Sequence, residues 1–190
     1  MKKFVDLSAY QEDVDWQRLS EEFDGVILKI GEGSHLDDMF IEHVNNAVKY
    51  NMPYGVYYYS NAWSESKAII EARQVDAWLK EYLRGENPEY GIWYDVESSM
   101  IDIDNVTDIT MAFINHLWGR GYTYVGVYSS WNWFENYFEH DTIRNVGIWV
   151  SQYYRENSLK LDHPDWNIKL WQWTEYYSDE FPYDANIVYD

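Results

Sequence analysis

The 190-residue chain has no cysteine. That excludes disulfide staples, thiolate metal sites and a cysteine nucleophile, and it leaves the compartment open. Cations are scarce: 14 Lys and Arg stand against 33 Asp and Glu, a formal net charge of −19. Such a field argues against nucleic acid and anionic membrane surfaces as partners. No apolar run approaches the length of a membrane span, so membrane insertion is not expected. The N-terminal "MKKFVDLSAY" carries two lysines but no apolar stretch behind them, so it does not read as a signal peptide. No Pro/Gly/Ser linker, internal repeat or low-complexity tract divides the chain. The expectation is one domain over residues 1–190.

What is present is apolar and aromatic. Hydrophobic residues make up 46% of the chain, enough for a substantial core. The 11 Trp and 19 Tyr exceed what a core requires. Aromatic rings with a polar edge suit flat, partly wet binding surfaces, and carbohydrate is one ligand class that uses them.

Apolar periodicity alternates between strand and helix. "KFVDLS", "GVILKIGEG", "YGVYYYSNA", "YGIWYDVES" and "YVGVYSS" read as strands, and each is followed by a helical pattern. The segment "DDMFIEHVNNAVKYN" predicts a helix with Phe40, Val44, Ala47 and Val48 on one face and Asp37 or Asp38 as its cap. "SESKAIIEARQVDAWLKEYL" predicts a long helix opened by a Ser cap. Then the rhythm changes: "VGIWVSQY", "IKLWQWT" and "ANIVYD" read as three strands with gaps too short for full packing helices. Five βα units followed by three strands imply a parallel sheet closed into an irregular, TIM-like α/β barrel.

In βα barrels the site lies at the C-terminal ends of the strands. Acids collect there. Asp6 ends the first strand, Glu32 follows the second, Asp95 and Glu97 end the fourth, and Asp184 precedes the last. Positions i and i+2 share a strand face, so Asp95 and Glu97 point the same way. Two like charges so placed raise one of the two pKa values, and burial raises it further, as a general acid requires. The alternative is that the strand stops near Tyr94 and both acids are solvated loop residues. Lys29 is a charge partner inside the mouth or a surface residue. By the same parity Tyr57 and Tyr59 face the site and Tyr58 faces away.

These segments together resemble glycoside hydrolase family 25, the Chalaropsis-type lysozymes of bacteria and phage endolysins. "VDLSAYQEDVDW" is similar to the family's D-x-S-x-x-Q…D-W opening, and "IWYDVE" to its D-x-E signature. "LWQWT", which contains Gln172, and "YDANIVYD" resemble its closing W-Q-Y-T…V-D-x-N. "VILKIGEG" resembles K-x-T-E-G with Gly31 where Thr is common, and "YGVYYYS" resembles G-x-Y-H-F with Tyr58 replacing His; both departures are expected to flank the site. The resemblance implies hydrolysis of the β-1,4 bond between N-acetylmuramic acid and N-acetylglucosamine in peptidoglycan. It implies Glu97 as general acid, Asp95 as stabiliser of the charge developing at the sugar, and Asp6 and Asp184 as the remaining ionised acidic floor. Tyr57, Tyr59, Lys29, Glu32 and Gln172 are then substrate-binding, and no metal or cofactor is implied. Peptidoglycan glycan strands are the expected partner, with a separate wall-binding module or a release protein as a further one. Action at the bacterial cell wall follows, by secretion or by release during lysis. Two alternatives stay open: a non-catalytic carbohydrate-binding barrel, and a hydrolase of another acetamido-sugar polymer such as chitin.

Overall fold

A computed structural model describes residues 1–189. Its strands are β1 (Lys2–Leu7), β2 (Gly25–Glu32), β3 (His35–Leu36), β4 (Tyr54–Tyr59), β5 (Ile92–Asp95), β6 (Val125–Ser130), β7 (Gly147–Ser151), β8 (Ile168–Thr174) and β9 (Asp184–Val188). The helices are α1 (Trp16–Glu22), α2 (Phe40–Lys49), α3 (Glu65–Tyr82), α4 (Val106–Gly119), α5 (Trp131–Asn136), α6 (His140–Ile143) and α7 (Ser158–Asp162). All strands but β3 form the ring β1-β2-β4-β5-β6-β7-β8-β9, closed where β9 pairs back onto β1. This is the expected irregular TIM-like barrel.

Two details depart from an all-parallel ring of eight. The two-residue β3 turns back antiparallel on the end of β2. β9 runs antiparallel to both β8 and β1. Reversal of β9 has a consequence for the site. Its first residue, Asp184, lies at the rim where the parallel strands end, in register with Asp6.

Strand alternation splits the apolar residues into two layers. One parity faces the helices and builds the main core, which includes Val5, Leu28, Val56, Tyr58, Tyr94 and Ile148. The other parity fills the barrel with Phe4, Ile27, Trp93, Tyr128, Trp149, Leu170 and Val188. A Trp interior needs space, and Gly126 supplies it. A Cβ there would sit 2.5 Å from the Trp93 ring and 2.4 Å from the Gly147 carbonyl. Above this plug the inward positions turn polar: Asp6, Asp95, Gln172 and Asn186.

Ser64 caps α3 as its sequence suggests, accepting from the Lys67 amide. α2 differs. Its buried residues are Phe40, His43 and Ala47, and Val48 is 62% exposed. Val48 lies roughly 80° around the helix from Phe40, beyond the covered stripe. The α2 N-terminus has no side-chain cap; Asp37 instead accepts from the amides of Ala9 (3.0 Å) and Met39 (3.1 Å), tying the loop after β1 to the start of α2.

Candidate active site

The polar end of the barrel opens into a cleft of about 610 Å³ lined by Asp6, Asp95, Glu97 and Asp184, by Tyr57 and Tyr59, and by Lys29 and Glu32. Eight of the nine residues singled out in the sequence therefore share one cavity, and Gln172 is bonded to two of them from beneath. Ser8, Tyr10 and Gln11 from the loop after β1 complete its wall.

Asp95 is the last residue of β5 and is 5% exposed. The extended backbone continues past it: the Val96 amide donates to the Tyr128 carbonyl at 2.8 Å, and Val96 packs into the outer core. Glu97 thereby returns to the cleft side, as parity requires. The alternative of two solvated loop acids fails for Asp95. Glu97 is open to solvent across the cleft, yet the concave wall displaces much of its hydration.

Hydrogen bonds divide the acids. Asp6 Oδ2 accepts from Asn186 Nδ2 at 2.8 Å and Gln172 Nε2 at 3.0 Å. Gln172 Nε2 also donates to Asp184 Oδ2 at 3.1 Å, and its own Oε1 accepts from Tyr128 (2.9 Å) and Tyr153 (3.0 Å) hydroxyls. Asp95 Oδ1 is buried with no hydrogen-bond partner. A buried carboxylate oxygen left in that state is costly, so Asp95 favours its protonated form or an external donor.

The charge states follow. Burial, then the charges of Glu97 and Asp6, lift Asp95 well above the ordinary carboxylate range. Burial and Asp184 lift Asp6 to about 8 against the donors that oppose it. Burial and Glu175 lift Asp184 to about 6. Glu97 is also raised, and burial is the cause. Like-charge repulsion thus falls on the more enclosed Asp95 rather than on Glu97, and burial works against the ionised state expected of Asp6. Four crowded carboxyls with few cations nearby share protons rather than all ionising.

Among the described residues Lys29 is the one cation on the cleft wall. Its Nζ donates to Glu32 at 2.6 Å and lies 5.4 Å from the centroid of Tyr59. Tyr57 is edge-on to Trp149 (6.0 Å), so it belongs to both cleft and plug. Among the described residues no cluster of His, Asp and Glu has a geometry suited to a metal ion.

Both departures noted in sequence lie off the cleft's chemistry. Tyr58 points outward and donates its hydroxyl to the Gly33 carbonyl at 2.8 Å, holding the β2–β3 turn. A Cβ at Gly31 would sit 2.3 Å from the His35 carbonyl and 2.7 Å from the Trp78 ring. Trp78 and β3 occupy the space a threonine would need.

Sequence reading missed Asn186, Tyr128 and Tyr153. Asn186 was findable: it stands two residues after Asp184, hence on the same face, and its Oδ1 also accepts from Trp149 Nε1 at 2.8 Å. Tyr153 lies beyond the end of β7, where parity gives no guidance.

A profile described as glycosyl hydrolases family 25 matches residues 5–180, and the chain belongs to that family. No curated protein matches it. Among solved structures it is similar to the modular autolysin LytC of Streptococcus pneumoniae in complex with a synthetic peptidoglycan ligand: TM-score 0.87 and 27% identity over 99% of this chain and 46% of that one. The chain thus spans about half the length of that autolysin. The catalytic domain of endolysin ply40, from bacteriophage P40 of Listeria monocytogenes, shares the fold at TM-score 0.82, with 24% identity over 100% of this chain and 93% of that one. A family 25 glycosyl hydrolase from Bacillus anthracis does so at TM-score 0.80, with 23% identity over 100% and 89%.

Proposed function

We propose that this chain is a muramidase that hydrolyses the β-1,4 bond between N-acetylmuramic acid and N-acetylglucosamine in peptidoglycan. Glu97 is the general acid. Asp95 receives the substrate's 2-acetamido N–H. The observation that carries the reading is the buried, unpartnered Asp95 Oδ1 beside a protonatable Glu97 in an acid-lined cleft.

Glycosidic cleavage needs a proton at the leaving oxygen and negative charge near an oxocarbenium-like transition state. In the free enzyme burial favours a proton on Asp95. An N–H donated to Oδ1 favours the charged form of Asp95 and leaves the pair's proton on Glu97. Glu97 then protonates the glycosidic oxygen as the C1–O bond breaks. The acetamido carbonyl oxygen closes onto C1, its N–H held by Asp95, as in the substrate-assisted exceptions to the two-carboxylate rule. Water attacks C1 from the vacated side, Glu97 takes its proton, and the acetamido group is released. Configuration is retained.

The −19 charge opposes approach to anionic wall polymers, although salt screens it beyond about 8 Å. That supports delivery by a wall-binding module or a release protein, and one relative is itself a modular autolysin. The site of action is the bacterial wall, reached by secretion or during lysis.

Mass spectrometry of digested peptidoglycan tests the reading. New reducing ends on muramic acid are expected. Reducing ends on glucosamine, or cleavage of chitin oligomers in preference to wall glycan, overturn it.

A further inference from the structure

A second depression of about 660 Å³ lies beside the acidic cleft, lined by Tyr153, Tyr154, Arg155, Trp173 and Thr174. Tyr153 links the two. Its hydroxyl donates to Gln172, which bonds Asp6 and Asp184 in the cleft, and its ring flanks the second groove.

The chemistry of the two hollows differs in sign. The cleft gathers four carboxyls, and its one cation, Lys29, is already paired with Glu32. Among the described residues the groove wall carries no acid. It presents two exposed aromatic rings, with Tyr154 70% exposed, and is bordered by Arg155, which also borders a neighbouring hollow and has no ion-pair partner among the described residues. Tyrosine faces suit sugar rings. A guanidinium suits a carboxylate, which it can hold with two parallel hydrogen bonds.

We propose that this groove is a carboxylate-recognising subsite: Tyr154 supports a sugar ring, and Arg155 binds the carboxylate that a muramyl residue carries on its lactyl arm or stem peptide. The assignment rests on the muramidase reading for the identity of the ligand. It adds a reason why an anionic substrate tolerates an acidic mouth. The carboxylates of the substrate are met by the charge of Arg155 and are kept clear of Asp6, Asp95, Glu97 and Asp184.

The test uses the Glu97→Gln chain, which binds without turnover, and calorimetric titration with muramyl dipeptide in its free-acid and carboxyl-amidated forms. The free acid should bind about tenfold more tightly, in the range of one charge-assisted hydrogen-bonded pair. Adding Arg155→Gln should bring the ratio near one, and Arg155→Lys should restore part of it. Tyr154→Ala should weaken both forms alike, because stacking does not sense charge. Rising salt should erode the free-acid preference only where Arg155 is present. Equal affinity for the two forms, or a preference that survives Arg155→Gln, overturns the subsite. The two readings fail separately. A wild-type chain that leaves wall glycan intact while its Glu97→Gln form keeps the Arg155-dependent preference overturns the muramidase reading alone. A chain that cleaves the glycan but shows no preference overturns the subsite alone.

Discussion

Asp76 on α3 and Asp95 at the barrel mouth are about equally buried, 7% and 5% exposed, yet their surroundings are opposite. Asp76 accepts from Lys80 Nζ at 2.8 Å, Arg120 Nε at 3.0 Å and the Tyr122 hydroxyl at 3.1 Å. Burial would raise it, but Lys80, Tyr122 and Arg120 together pull it below the ordinary carboxylate range. Asp95 has other acids around it, an oxygen with no donor, and a raised pKa. One acid is satisfied by its own chain and ties α3 to the turn after α4. The other is left for something the chain does not supply. Burial alone does not mark a functional acid; burial without a partner does.

The largest expected break in that comparison is at Glu97. Glu97→Gln keeps the shape of the cleft and removes the transferable proton, so lysis of walls should fall by ~10²–10⁴-fold, the usual range for general acid catalysis, with circular dichroism unchanged. A variant with more than about a tenth of wild-type rate would show that Glu97 is not the acid.

Asp95→Asn sharpens it through pH. In the wild type the pair must hold one proton, so the rate should be bell-shaped, falling at high pH as the last proton leaves. Without Asp95 the acidic limb set by the pair's first proton should vanish. The upper limb should move to lower pH, because Glu97 then titrates alone, raised only by burial. The maximum should also fall, since no carboxylate orients the acetamido group. A pH–rate profile on a soluble muropeptide oligomer at fixed ionic strength reads all three, and an upper limb that stays in place would mean the two carboxyls do not share a proton.

How much of this was legible in sequence follows from what repeats along the chain. Strand period fixed the side of the barrel on which Asp6, Asp95, Tyr57 and Tyr59 stand, and a strand end fixed their height. The β9 reversal was legible but not drawn: residues 175–183, between β8 and β9, are too few for the crossover that a parallel neighbour needs and favour an antiparallel return. The charge states could not be read. They depend on which carboxyl is most enclosed and which donors reach it, and those donors, Gln172 and Asn186, come from strands distant in sequence. Val48 was misplaced for the plainer reason that a helix face is narrower than a list of apolar residues suggests.

On the structural side of the comparison, Asp76→Asn should cost about 2 kcal/mol, the range for hydrogen bonds to a charged group, or roughly 4–8 °C in melting temperature for a chain of this size. Activity should be retained, since Asp76 lies on α3 and does not line the cleft. Loss of activity without loss of stability would contradict its assignment as a structural acid.

The effect expected at Asp6 has the opposite sign. Asp6 sits at about 8 in the folded state, against roughly 3.9 when unfolded. Between those values the native state holds a proton that the unfolded state has lost, so the contribution of Asp6 to stability declines as pH rises through that window and levels off above it. Asp76 behaves in reverse: its lowered pKa contributes stability that is present above the unfolded value and lost as pH falls through the folded one. Asp6→Asn removes the buried charge while its amide oxygen can still accept from Gln172 or Asn186. It should therefore raise the melting temperature at pH 8 and leave it nearly unchanged at pH 4, while lowering wall lysis. Asp76→Asn should lower the melting temperature at pH 8 and converge on wild type at low pH. Thermal melts of both variants across that range would separate an acid kept for the fold from one kept for the site. If Asp6→Asn destabilised the protein at pH 8, the charge on Asp6 would be a structural asset, and the contrast drawn between the mouth and Asp76 would not extend to it.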